Sequence, residues 1–134
     1  MNIDILHKLL LKSWCKETAF GESWNLNNPS LNQCAITALV VQDLFGGKII
    51  RCEMTDGDSH YWNRLPNYDE VDLTKDQFEF ILPQPLRETA EYRTRQYILS
   101  FPKTMKRYGL LLQKLSSIQK AAIEDDNGIE LELI

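Results

Sequence analysis

The sequence predicts an α+β fold in which a central helix packs on a small antiparallel sheet, with further helices toward the C-terminus. Three observations predict it. Nearly every position from Ala35 to Val41 is apolar within a segment of helical length. The pattern changes to period two beyond Lys48, and helical spacing returns after Pro102, with Met105, Tyr108, Leu112 and Leu115 along one stripe.

Taken in order, residues 3 to about 15 read as a helix, because Ile3, Leu6, Leu10 and Trp14 recur at helical spacing. Residues 20 to 29, rich in Gly, Ser, Asn and Pro, read as a loop anchored by Trp24. A second helix is expected from Leu31 to Phe45, opened by a capping box at Ser30-Leu31-Asn32-Gln33 and ended by Gly46-Gly47. Its uniformly apolar middle calls for protein on every side.

Lys48 to Met54 has strand composition, Asp56-Gly57-Asp58 is a turn, and Ser59 to Leu65 is a second strand. Pro66-Asn67-Tyr68 turns the chain into a third strand at Asp69 to Leu73. Thr74-Lys75-Asp76-Gln77 is a second candidate capping box, opening a short turn that carries Phe78. Beyond Pro83 and Pro85, residues 87 to 100 read as helical, and Pro102 suits the first turn of another helix. The tail from Glu124 is acidic, with Ile129 to Ile134 a candidate edge strand.

With 134 residues and 43% hydrophobic content, the chain is expected to fold as one domain over residues 1–134. No run approaches the roughly 18 apolar residues of a membrane span, and the start Met1-Asn2-Ile3-Asp4-Ile5 lacks signal-peptide character. A cytoplasmic protein with no membrane partner is the expectation. The net charge of -4 argues against a nucleic-acid partner. The basic residues from Arg87 through Arg93, Arg95 and Lys103 to Lys106 and Arg107 are expected on solvated helix faces. An odd count of cysteines, Cys15, Cys34 and Cys52, fits reduced thiols, and no Cys or His spacing suggests a metal site.

Cys34 carries the most chemical information. At a helix start, free amides and the helix dipole favour an anionic sulfur; packed beside Ala35 and Ala38, it reads equally as a small buried hydrophobe. A thiolate nucleophile needs an imidazole from elsewhere in the fold. His60, directly after the turn at Asp56-Gly57-Asp58, is the natural partner, since His7 looks solvent-facing. A tight turn between Leu65 and Asp69 pairs residues whose numbers sum to 134. That register sets His60 opposite Thr74 and diagonal to Asp72 on one sheet face, within reach of a carboxylate–imidazole hydrogen bond. Asp72 could then orient the ring, or it could simply solvate the strand end or cap the turn at Thr74. Asn63 and Asp69 fall on the opposite face. For an oxyanion, the Cys34 amide and the Gln33 side chain are candidate donors, although Gln33 is also engaged in the proposed capping box. Trp24 and Trp62 are candidate rims of a substrate cleft, and more simply core aromatics. Cys15 and Cys52 look structural.

These segments together resemble the YunG family, small proteins assigned a papain-like or NlpC/P60-like fold. The resemblance runs from about residue 14 to 115. It rests on Asn28-Pro29-Ser30, the string QCAITALVVQD from Gln33 to Asp43, Phe45-Gly46-Gly47, and SHYWNRL from Ser59 to Leu65. Val71-Asp72-Leu73-Thr74, Gln77-Phe78 and the region of Ser100, Pro102, Arg107 and Tyr108 extend it. It implies a nucleophile position on a central helix and a histidine on an antiparallel sheet, with Cys34, His60 and Asp72 at the positions of a catalytic triad. One departure is Asn32, where the family pattern has glycine; its bulk narrows the approach beside Cys34. The expected function is a thiol-dependent hydrolase or acyl transferase acting on an amide or ester, without a cofactor. The alternative is a non-catalytic papain-like binding or regulatory module. A pocket open at Cys34 favours the first, and a thiol sealed under aromatic side chains the second.

Overall fold

A helix that is apolar all round must be enclosed all round, and this requirement organises the molecule. The computed structural model describes residues 1–79 and 83–124. Its helices are α1 (Ile3–Ser13), α2 (Cys34–Phe45), α3 (Arg95–Leu99) and α4 (Pro102–Glu124); its strands are β1 (Lys48–Met54), β2 (Ser59–Arg64), β3 (Glu70–Val71) and β4 (Pro85–Arg93). One antiparallel sheet has the order β3-β2-β1-β4. On one side of α2, Ile36, Val40 and Val41 pack with Leu6, Leu9, Leu10 and Trp14 and with Leu111 and Leu115 of α4. On the other side, Ala38 and Leu39 meet Ile49 of β1 and Ile98 of α3. Each Leu, Ile or Val side chain among them, once fully buried, contributes about 1.5–3 kcal/mol. The sheet's other face buries Ile50, Cys52 and Trp62.

Polar links fix α2 between these layers. Trp14 donates from Nε1 to Thr37 Oγ1 at 3.0 Å, joining α1 to α2. Asn63 donates to the Ala38 carbonyl at 2.9 Å, joining β2 to α2. Arg95 pairs with Asp43 at 2.8 Å and donates to the Leu39 carbonyl and Gln42. Tyr108 also bonds Asp43, which sets α4 against α2. Two left-handed glycines end α2, with φ of 74° at Gly46 and 82° at Gly47. Gly47 must also be small, because a Cβ there would stand 2.2 Å from the Arg64 carbonyl oxygen.

Several expectations need correction. The second helix begins at Cys34, not Leu31: Asn32 takes φ 60°, which no right-handed helix includes. The capping box at Ser30–Gln33 is therefore absent. Ser30 donates to the Thr74 carbonyl, and Gln33 turns toward Cys15 and Thr18. The third strand shortens to Glu70–Val71, although the register is as expected, with Asn63 opposite Val71 and Arg64 opposite Glu70. No side chain caps the short turn Lys75–Phe78 from Thr74, since the Thr74 hydroxyl donates to Asp72.

Residues 87 to 100 do not form one helix. Arg, Glu and Ala favour a helix locally, but the open edge of β1 takes Pro85–Arg93 as β4, and tertiary pairing overrides propensity. The register shifts between Arg51 and Glu53, where Thr89 accepts the Glu53 amide at 2.8 Å. On α4, Leu111 and Leu115 are buried while Met105 is exposed. The basic residues are not simply solvated: Arg95 is paired, Arg87 lies over the Trp62 ring, and Arg107 is half-buried. The candidate edge strand Ile129 to Ile134 lies outside the described residues.

Candidate functional site

The site is assembled along the first half of β2. Among the described residues, β3 pairs only with Asn63 and Arg64, so that half has no strand beside it on this side. The start of α2, the turn after β3 and the first turns of α4 all converge there around a cavity of about 320 Å³. Cys34, the first residue of α2, lies half-buried on its wall, together with His60. The first-turn amides of a helix have no intrahelical acceptor, so Cys34 sits among free donors and at the positive end of the helix dipole.

His60 is 1% exposed. Its ring stacks on Trp62 at 5.6 Å and meets Phe78 edge-on at 4.7 Å. Its Nε2 lies 2.6 Å from Asp72 Oδ2. Asp72 leaves Nδ1 of the ring unengaged, and Cys34 stands near enough on the same wall for its side chain to favour the protonated imidazole. Burial alone would push the His60 pKa down. The Asp72 and Cys34 hydrogen bonds, with the charges of both groups, outweigh it and raise the pKa from 6.5 to about 9. Asp72 does two things at once. While Oδ2 meets the ring, Oδ1 accepts from the Thr74 amide at 3.1 Å and its hydroxyl at 3.2 Å, so the turn that follows β3 fixes the carboxylate.

The remaining residues singled out in the sequence lie elsewhere. Gln33 is fully buried and absent from the cavity wall; its Oε1 accepts from Thr18 at 2.9 Å and its Nε2 donates to the Cys15 carbonyl at 2.9 Å. Trp24 fastens its own loop by donating to the Pro29 carbonyl at 2.8 Å. Trp62 backs His60 and donates to Glu70 at 2.6 Å, away from the cavity. Asn63 is committed to α2, and Asp69 lies in the exposed turn. Cys52 is buried opposite His60, and burial pushes its thiol pKa up.

Phe78 and Arg107, which the sequence places on a short turn and a solvated helix face, both reach the cavity. Phe78 covers the edge of the imidazole, and Arg107 faces the cavity from α4. A signal for Arg107 exists: its helical neighbours Lys103, Thr104, Leu110 and Leu111 offer no carboxylate.

A thiol and a histidine on the wall of one cavity, the histidine held from outside that cavity by a carboxylate, thus define the site. Residues 2–120 match the YunG protein family, and the chain belongs to that family. It is similar to the uncharacterized protein YunG of Bacillus subtilis (strain 168), with 37% identity over 71 residues. That match covers 53% of this chain and 58% of the relative, so the chain spans under two thirds of its length. No solved structure matches the chain. Among the described residues, no helix is long and apolar enough to cross a membrane.

Proposed function

We propose that the chain is a thiol-dependent hydrolase or acyl transferase that cleaves an amide or ester, built on a papain-like fold. One observation carries this reading: the imidazole that Asp72 holds at 2.6 Å shares the wall of one cavity with a half-buried thiol. In this mechanism Cys34 Sγ attacks the substrate carbonyl carbon and forms an S–C bond. His60 Nδ1 gives its proton to the departing nitrogen or oxygen as the scissile bond breaks. Water, or an acceptor hydroxyl or amine, then adds to the thioester and yields a proton to His60. The S–C bond breaks and the resting pair returns. Asp72 keeps the ring in place and stabilises its protonated form throughout. The Cys34 amide at the helix start is the available oxyanion donor, since Gln33 is engaged elsewhere.

The fold supports the papain-like reading through the position of Cys34 at the start of a buried helix packed on an antiparallel sheet. The open cavity favours an enzyme over a non-catalytic module. Activity-based labelling with a thiol electrophile across pH tests the proposal. Cys34 should label selectively near neutral pH, and His60→Ala should lose that labelling. Equal rates in the two proteins would reject the mechanism.

A further inference from the structure

Among the described residues, Arg107 is the one arginine or lysine on the cavity wall, and no carboxylate pairs with it. Its Nε is enclosed and has no hydrogen-bond partner. Its NH2 donates to Thr104 Oγ1 at 3.1 Å, a neutral acceptor one turn earlier on α4. The Phe20 ring lies 5.6 Å from the guanidinium carbon and supports its plane from the rim. Burial pulls the Arg107 pKa down, and only the charge of Cys34 acts against that. A guanidinium has five N–H donors in a planar fork, and the hydrogen bond to Thr104 uses one of them beside the thiol. Tyr108, the next residue, is bound to Asp43 and Arg95, so the register that presents Arg107 is fixed by α2.

We infer that Arg107, with Thr104, is the specificity element of the site and binds a carboxylate of the substrate, so that the cleaved amide or ester belongs to an acidic acyl or aminoacyl compound. The inference rests on the proposed reaction at Cys34 and adds the substrate's charge to it. A planar carboxylate matches the fork in bidentate fashion. A phosphate dianion fits less well, because Asp56 and Asp58 line the same cavity from the β1–β2 turn and one guanidinium balances a single charge.

Two experiments test this. The first compares alkylation of Cys34 by iodoacetate and by iodoacetamide, each forming an S–C bond with loss of iodide. Rates are expressed against the same ratio for glutathione. The wild-type ratio should favour iodoacetate, and Arg107→Gln should lower that ratio by roughly tenfold, the loss of one charge-assisted hydrogen bond. Arg107→Lys, which keeps the charge without the fork, should fall between them. No carboxylate preference in the wild type, or equal slowing with both reagents in Arg107→Gln, overturns the inference; the second result would assign Arg107 to the thiol itself.

The second experiment needs no reactive sulfur, so it separates failure of this inference from failure of the proposed reaction. In ¹⁵N-labelled Cys34→Ser protein, glutarate should shift the Arg107 Nε–H resonance saturably, and its neutral analogue glutaramide should not. The resonance is assigned by its disappearance in Arg107→Lys. No shift with glutarate, an equal shift with glutaramide, or tighter binding of inorganic phosphate would each overturn recognition of a carboxylate.

Discussion

His60 Nε2 lies 2.6 Å from Asp72 Oδ2 across a hairpin whose ladder has already ended at Val71. The contact is thus made by two side chains beyond the paired strands, and the Thr74 amide holds the carboxylate in place from the far side. Covered by Trp62 and Phe78, the ring has little water to stabilise its charge, so its protonation depends on Asp72 and Cys34.

The first prediction is a pH-dependent stability difference. The folded His60 pKa of about 9 is raised above its ordinary 6.5. Its contribution is therefore fully present below about pH 6.5 and lost as pH rises through about 9. Asp72→Asn removes much of that contribution. Denaturant unfolding of both proteins from pH 6 to 10 should show the largest gap at the acid end. The gap should close toward alkaline pH by up to about 1.4 kcal/mol per unit. A gap constant with pH would mean that Asp72 stabilises only the turn at Thr74.

Thiol selectivity is the second. Cys52 is fully buried, and its thiol pKa is raised by burial, so iodoacetamide should spare it in the folded protein. Cys15 is half-buried in a turn, without an imidazole partner. Brief labelling near neutral pH followed by peptide mapping should find Cys34 modified first. Equal modification of Cys15 and Cys34 would remove the case for an activated thiol.

Asn32 carries the third. Its φ of 60° lies in the left-handed region, where asparagine is among the better-tolerated residues and glycine is free of strain. The same conformation makes the break that leaves Cys34 the first helical residue. Asn32→Ala should destabilise the protein by about 1–2 kcal/mol, and Asn32→Gly should be nearly neutral, as read from thermal unfolding. Equal loss in both would place the cost in the asparagine side chain instead.

The legible part of the fold was the part set by local pattern. The apolar run around Leu39, the glycines after Phe45 and the tight turn after Leu65 each act over a few residues. The hairpin register that follows from that turn brings His60 near Asp72. What was not legible depends on partners distant in sequence. Pro85–Arg93 has helical composition and becomes a strand because β1 offers an open edge. Gln33 has the spacing of a capping residue but is drawn away by Thr18 and Cys15. Arg107 looked like one more solvated cation, and only the packing of α4 brings it to the cavity.

The last prediction separates the two roles of Asp72 at the thiol. Asp72→Asn keeps an oxygen for the Thr74 amide and leaves the fold nearly intact, but an amide cannot stabilise an imidazolium by charge. With the carboxylate gone, burial among Trp62 and Phe78 pushes His60 toward its neutral form. Under the proposed mechanism, fewer molecules then hold an imidazolium beside Cys34 at neutral pH. Alkylation of Cys34 should slow by roughly tenfold for each 1.4 kcal/mol of charge stabilisation lost. Its pH profile should move to higher pH by the corresponding amount. The measurement follows Cys34 alkylation from pH 5 to 10 in both proteins, with Cys15 and Cys52 replaced by serine and folding checked by circular dichroism. Superimposable profiles would confine Asp72 to the turn. Asn63 could not then take its place, because its amide is spent on the Ala38 carbonyl on the opposite face of the sheet, and His60 would have to act without a carboxylate.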